Sequence, residues 1–272
     1  MKIVSRIAVA LAAAFAMPVP AASEDVPFIT TPDNVTMAML QIARTNAQDY
    51  VIDLGSGDGR IVITAAKTFG ARGLGVEIVP DLVKKSRENA QAAGVASRVE
   101  FREEDLFKTD LSPASVVTMY LLPEVNLELR PKLLALKPGT RIVSHDWDMG
   151  DWPPERSLQL DVPDKQIGRE KSSKVHLWII PARLAGAWCG GTKKKPVTLQ
   201  VDQKYSQMRG AVTRAGASQK FEARIRGTQI QSIDGDLVWN LEGDRLKAVV
   251  ARNAFGALRS VTFSRRTGDS CW

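Results

Sequence analysis

Seven consecutive residues, Asp53-Leu54-Gly55-Ser56-Gly57-Asp58-Gly59, carry the densest chemical signal in the 272-residue chain. Three glycines at alternate positions let the backbone turn tightly and approach a ligand with no Cβ in the way. A helix beginning just beyond them presents free amide N–H groups. A dinucleotide loop spaced Gly-x-Gly-x-x-Gly needs its third glycine at position 60, where Arg60 stands. That argues against a pyrophosphate laid on the helix start. Two more carboxylates follow at intervals: Glu77, and Asp105 within Arg102-Glu103-Glu104-Asp105-Leu106-Phe107. An ionised carboxylate accepts hydrogen bonds and donates none, so it suits a diol.

Two later runs are also candidates for chemistry. Tyr120-Leu121-Leu122-Pro123-Glu124 closes a strongly apolar stretch, and His145, Asp146, Trp147, Asp148 and Trp152 cluster further on. One histidine with scattered carboxylates falls short of metal-ligand spacing, so no metal is expected. The second run reads instead as a loop at the mouth of a pocket. His176 alternates with Val175 and Leu177 and reads as structural.

The elements that must position these residues alternate. Thr31 as cap and Pro32 at the first position open a helix that sets Val35, Met39 and Ile42 on one face. A strand at 50–54 runs into the glycine turn. Val62, Ala65, Ala66 and Phe69 are spaced for a buried helix face, which Gly70 ends. Strands are expected at 73–77, 99–102, 116–122 and 141–144, with helices near 81–93 and 125–136, then two more strands at 158–162 and 175–180. The fold class is therefore α/β, a Rossmann-like parallel sheet with helices on both faces. Ligands of such sheets lie beyond the carboxyl ends of the strands, where Asp53, Glu77 and Asp105 fall.

After Pro181 the period changes to two. Val197, Leu199 and Val201 alternate with polar residues, as do Phe221, Ala223 and Ile225, then Leu237, Trp239 and Leu241, with Gly and Asp at the turns. This predicts a small antiparallel, barrel-like β domain at 188–272, joined by a linker at 182–187 to an α/β domain at 24–181. Residues 182–272 carry 16 Lys or Arg against 7 Asp or Glu, whereas residues 1–181 carry 21 against 23. The basic excess suits contact with an acidic surface, although solvated strand faces would have the same composition. No arginine-rich run or cluster of stacking aromatics points to nucleic acid.

Lys2 and Arg6, an apolar run over residues 7–17, Pro18, and then Ala21, Ala22 and Ser23 describe a signal peptide over 1–23, too short for a transmembrane anchor. The chain is thus expected to be exported. Cys189 and Cys271 are the two cysteines, one at each end of the β domain. In an exported protein such a pair reads as a disulfide; in a cytosolic one it would be two core thiols.

The Gly-x-Gly-x-Gly turn after the first strand resembles motif I of the class I S-adenosylmethionine (SAM)-dependent methyltransferases. The resemblance implies that Gly55, Ser56, Gly57, Asp58 and Gly59 hold the amino-acid end of SAM and that Asp53 faces its ammonium. It implies further that Glu77 accepts the ribose hydroxyls and Asp105 the adenine amino group, with Ile78 or Leu106 against the ring. The segment Val26-Pro27-Phe28-Ile29-Thr30-Thr31-Pro32 together with residues 53–63 is similar to the protein-lysine methyltransferase family of the mitochondrial enzymes acting on the adenine nucleotide translocase and on the ATP synthase. That likeness covers about residues 26–150 and leaves the β domain without a counterpart. Residues 120–126 also resemble exported bacterial methyltransferases. On these likenesses Tyr120, Pro123, Glu124 and His145 are candidates for the acceptor pocket. N6-adenine methyltransferases carry an Asn or Asp before two prolines and an aromatic there, which Tyr-Leu-Leu-Pro lacks. The implied activity is methylation of a nitrogen, foremost a protein lysine. A small molecule or envelope component is the alternative acceptor, and a SAM-binding adaptor without turnover the alternative class.

Overall fold

A computed structural model of the chain describes residues 29–165, 170–266, 268 and 271. The expected signal peptide lies outside the described residues. Helix α1 (Asp33–Ile42) precedes strand β1 (Tyr50–Leu54), and α2 (Arg60–Phe69), β2 (Arg72–Glu77), α3 (Pro80–Ala92), β3 (Val99–Glu103), β4 (Val116–Met119), α4 (Pro123–Leu133) and β5 (Arg141–His145) follow. Strands β6 (Arg156–Asp161) and β7 (Ser172–Ile179) complete a seven-stranded sheet in the order β3-β2-β1-β4-β5-β7-β6. The first five strands are parallel, and β7 runs antiparallel to both β5 and β6. Every carboxyl end from β1 to β5 therefore opens on one edge of the sheet.

The inner strands β1, β2, β4 and β5 are buried almost throughout because both faces are covered, whereas the edge strands β3 and β6 are largely exposed. Val35, Met39, Ile42, Ile61 and Ala65 bury one face against Val51, Val116 and Val143. Ile52, Leu54, Val117, Met119, Leu129, Leu133, Trp152 and Trp178 fill the other.

Several boundaries differ from expectation, three of them close to the ligand edge. Pro32, not Thr31, sits at the N-cap of α1, and the Thr31 hydroxyl is bonded to His145 instead. The apolar run expected as a strand to residue 122 leaves the sheet after Met119, where its pairings with Leu54 and Ser144 end. Pro123 then starts α4 two residues earlier than expected, since its missing N–H costs nothing at a first helical position.

The second domain is an eight-stranded closed barrel. Its strands are β8 (Gly186–Thr192), β9 (Lys195–Lys204), β10 (Gln207–Arg214), β11 (Ala217–Arg226), β12 (Gln229–Ser232), β13 (Leu237–Glu242), β14 (Arg245–Ala251) and β15 (Thr262–Arg265). The first strand begins inside the expected linker. Trp188, Leu199, Val201, Ile225, Ile230, Trp239, Leu246 and Phe263 form the interior. Gly190 stands opposite Phe263, and Gly210 opposite Phe221. A Cβ on either glycine would collide with the facing ring, so these positions give two aromatics room to lie across the wall. Closure comes from β15 pairing with β8, and a Cys189–Cys271 disulfide fastens the same seam with its Cα atoms 5.5 Å apart.

The barrel docks under the amino ends of the strands. Tyr205 stacks on Trp152 at 5.7 Å and donates its hydroxyl to Asp151 at 2.9 Å, while Lys204 and Arg130 pair with the same carboxylate. Arg226 pairs with Glu155, just before β6, and the β11–β12 turn at Gly227 abuts Gly139, just before β5. The ligand edge, at the other end of the strands, stays uncovered by the barrel.

Candidate active site

Asp53 sits on β1 opposite Thr118 of β4 and is 2% exposed. The Thr118 hydroxyl donates to its Oδ1 at 2.6 Å. Burial pushes the Asp53 carboxyl up to about 7; the Thr118 bond opposes this, and the charges of Glu77 and Asp58 add to it. A carboxylate kept so short of solvation and positive charge is a strong attractor for a buried cation.

The glycine turn hangs from β2, with Gly55 and Ser56 both donating to the Val76 carbonyl at 2.9 Å. Gly55, Gly57 and Gly59 all have positive φ (73°, 54° and 82°), which explains their spacing. Glu77 reaches from the end of β2 into this turn: one oxygen accepts the Gly57 N–H at 2.9 Å, the other the N–H groups of Ile78 and Val79. Its carboxylate thus ties β1 to β2. Asp58 is taken up by Arg60, which pairs with it at 2.7 Å and also donates to the Thr31 carbonyl, lashing the segment before α1 to the turn. Ser56 Oγ is buried without a hydrogen-bond partner, an orphaned polar atom at the floor of the turn.

Asp105 lies beyond β3, accepts the Phe107 N–H at 2.9 Å, and pairs loosely with Lys108. Leu106 is half-buried, and Ile78 is 68% exposed with Val79 and Phe107 also open. These open apolar side chains offer a surface that a flat apolar ligand could cover.

Across from this row, Tyr120 follows β4 and stacks on His145 with ring centroids 3.9 Å apart. His145 is not in a loop, as its cluster suggested, but is the buried last residue of β5. Thr31 Oγ1 bonds its Nδ1 at 3.3 Å and Ser173 Oγ its Nε2 at 2.9 Å, so both ring nitrogens are engaged. Burial, together with nearby Lys165, takes His145 down to about 4 against the pull of Asp146, so the ring is neutral at pH 7. The 3.5 Å approach of His145 to Asp146 is accordingly no ion pair. Tyr120 is held above its ordinary value by burial and by Asp146. Pro123 and Glu124 open α4 and are not among the residues that line the cavity beside Tyr120 and His145. A cavity of about 180 Å³ lies here, lined by Ile29, Thr30, Pro32, Tyr120, His145, Asp164 and Lys165.

Sequence reasoning missed Thr31, Thr118, Ser173 and the Asp146–Lys165 pair. A polar residue inside an apolar strand was the one available sign of Thr118. The other contacts join segments far apart in the chain.

The row of acceptors fits SAM by its chemistry. A buried carboxylate meets a cation, carboxylates at the next strand ends meet hydroxyl and amino donors, and exposed apolar side chains meet a flat ring. Similarity to known proteins agrees. Residues 53–156 match the family model of the ANTKMT methyltransferase domain. A protein-lysine N-methyltransferase of Saccharolobus islandicus is 44% identical over 138 residues, covering 50% of this chain and 86% of that protein. The adenine nucleotide translocase lysine N-methyltransferase of Mus musculus is 38% identical over 105 residues; the match covers 38% of this chain and only 46% of that protein. Among solved structures, an RNA methyltransferase from Salinibacter ruber in complex with S-adenosyl-L-homocysteine is 53% identical and superposes with a TM-score of 0.52, covering 57% of this chain and 96% of that one. The family model stops at residue 156, short of the barrel. With its strand order, glycine turn, carboxylate row and these relatives taken together, the chain belongs to the class I SAM-dependent methyltransferases, in the family of the ANTKMT methyltransferase domain.

Proposed function

We propose that the chain transfers the methyl group of SAM to the side-chain amine of a protein lysine, and that it does so after export. The cavity beside Tyr120 carries this reading. It combines an aromatic wall and the apolar Ile29 and Pro32 with one carboxylate, Asp164, which suits an extended alkyl chain ending in an ammonium. The name of the Saccharolobus relative, a protein-lysine N-methyltransferase, supports it.

Asp53, Glu77 and Asp105 with the glycine turn would hold the cofactor, which supplies an electrophilic methyl carbon. The chain's own task is then alignment. Tyr120 keeps its proton at neutral pH, and its oxygen can accept from the incoming amine and aim the nitrogen lone pair. His145 is neutral and fully bonded, so it acts by bracing the Tyr120 ring rather than as a base. The amine reaches the site after losing its proton to solvent. The barrel, with outward Arg209, Lys220 and Arg224, would hold the enzyme against an acidic surface while the opposite edge works.

RNA is the second reading, favoured by the name of the Salinibacter protein. One labelling experiment separates them. Envelope and cytosolic extracts are incubated with the purified chain and methyl-radiolabelled SAM, then split between protease and ribonuclease. Label lost to protease supports the protein-lysine reading, and acid hydrolysis should return methyl-lysine. Label lost to ribonuclease overturns it, and label in small molecules favours the small acceptor. SAM binding with no label anywhere leaves an adaptor. For export, the mature chain should begin between residues 22 and 24; an intact mass retaining Met1 would overturn that part.

A further inference from the structure

The cavity proposed for the acceptor already contains a lysine. Lys165, in the turn between β6 and β7, lines it alongside Tyr120 and His145. Its ammonium donates to Asp146 Oδ2 at 2.8 Å and to the Ser172 carbonyl at 2.6 Å, and its side chain is only 14% exposed. Asp146, the residue after β5, is fixed for this task. Its backbone is left-handed (φ 62°), and its other oxygen accepts the Lys174 N–H at 2.9 Å. A non-glycine residue held in that conformation beside a pocket marks a position the surroundings over-determine. Burial raises the Asp146 carboxyl, but the Lys165 and Lys174 bonds outweigh it and hold the group below its ordinary value, so it is charged at neutral pH. Lysine side chains seldom spend their rotamer freedom in a pocket; they usually leave the ammonium in water.

We infer that Lys165 occupies the place of the acceptor lysine, with Asp146 as the group that seats its ammonium, and that the chain methylates its own Lys165. The inference rests on the lysine reading above. Two of the three ammonium hydrogens are spoken for by Asp146 and Ser172, which leaves the third direction for the approach to the methyl group. In the step, the ammonium first releases one proton to solvent. The nitrogen lone pair then forms the N–C bond while the carbon–sulfur bond breaks and its electron pair stays on sulfur. The products are methyl-lysine, again cationic, and neutral S-adenosylhomocysteine. An external lysine must displace Lys165 from Asp146, so the same contact also sets a threshold for substrates.

The test incubates the purified full chain with SAM, with and without poly-L-lysine, and maps methyl groups by peptide mass spectrometry. SAM binding is checked separately by calorimetry. A methyl on Lys165, appearing at a first-order rate independent of chain concentration, is expected. Asp146→Asn should slow it at least tenfold; asparagine tolerates the left-handed backbone, so the variant should fold. A cofactor-free readout accompanies it. An amine-reactive ester should label Lys165 several-fold more slowly than exposed lysines, and Asp146→Asn should remove that protection. Poly-L-lysine methylated while Lys165 stays bare overturns this inference and leaves the lysine reading standing. Neither methylated, in a chain that binds SAM, overturns both. A rate that rises with chain concentration, or one indifferent to Asp146→Asn, overturns the seating of Lys165 in its own pocket.

Discussion

Cutting the Cys189–Cys271 bridge tests the barrel's architecture most directly. The two cysteines are 82 residues apart, and the bridge closes nearly the whole domain into one loop. In the chain-entropy model, a cross-link over a loop of that length stabilises the folded state by about 4.5 kcal/mol. A domain of roughly 80 residues has about 4–12 kcal/mol in total. The seam it fastens is short: β15 pairs with β8 from Phe263↔Gly190 to Arg265↔Trp188, and the Arg266 N–H adds one bond to the Ala187 carbonyl. Without the bridge, closure rests on those bonds, on the inward Phe263 and Trp188, and on Arg265, which lies over the Trp188 ring and donates to the Arg183 and Ala185 carbonyls. The barrel's melting transition should therefore drop by roughly 20 °C or more, at about 4–8 °C per kcal/mol for a domain this size. Amide exchange should accelerate first at 262–265. The methyltransferase sheet has separate apolar clusters, so its SAM affinity should change less than about twofold. Differential scanning calorimetry on oxidised, reduced and Cys189→Ser protein reads the first effect, and titration calorimetry the second. A barrel transition that stays put after reduction is verified by mass would refute the reasoning about the seam. So would a loss of SAM binding in step with the barrel.

Other expectations concern the cofactor row. Glu77→Ala should weaken SAM binding about ten- to a hundredfold, the worth of about 1.5–3 kcal/mol for a bond to a charged group, and toward the upper end because Glu77 also holds Gly57. Calorimetry on the folded variant checks it. With Asp53 at about 7 in the free protein, SAM affinity should fall up to tenfold per pH unit below 7, level off above, and lose this dependence in Asp53→Asn. The same group makes the free fold lose stability as pH rises. Its folded value lies above its unfolded 3.8, so the native state binds the extra proton between about 4 and 7. His145 acts the other way, its folded value of about 4 lying below the ordinary 6.5, so the comparison is between variants: from pH 5 to pH 8, urea melts of the wild-type free protein should lose more stability, or gain less, than those of Asp53→Asn. Gly59→Ala should destabilise the α/β domain by about 2–4 kcal/mol, since φ is 82° and the new Cβ would lie 2.7 Å from the Phe101 ring. Denaturant unfolding measures that loss.

The α/β sheet was legible because its inner strands β1 and β4 are largely apolar runs and strands alternate with helices through β5, from which the parallel order follows. The cofactor row was legible as well, because its carboxylates fall at or just past strand ends: Asp53 is next to last in β1, Glu77 ends β2 and Asp105 lies two residues beyond β3. Boundaries were less so. Residues 116–122 look like one strand, yet only neighbours decide where pairing stops, and those neighbours end at Leu54 and Ser144. The barrel's alternation was plain, whereas its closure depends on β15 finding β8, a pairing the two cysteines alone hinted at. The acceptor side was hardest. Thr31 meets His145 across 114 residues and His145 meets Ser173 across 28, and no local pattern announces a side-chain bond over such distances.

Closure of the barrel also limits how it can engage anything else. A sheet with a free edge offers unpaired N–H and C=O groups, on which a partner can lay an extra strand. In this barrel each strand has a neighbour on both sides, from β8 round to β15 and back. Its backbone is spoken for. Whatever meets this domain must be read by outward side chains such as Arg209, Arg224 and Lys247, which recognise charge and spacing rather than backbone shape. Recognition of that kind weakens with salt, tolerates sequence drift in the partner, and leaves the barrel unable to recruit further copies of itself by strand exchange along an open edge.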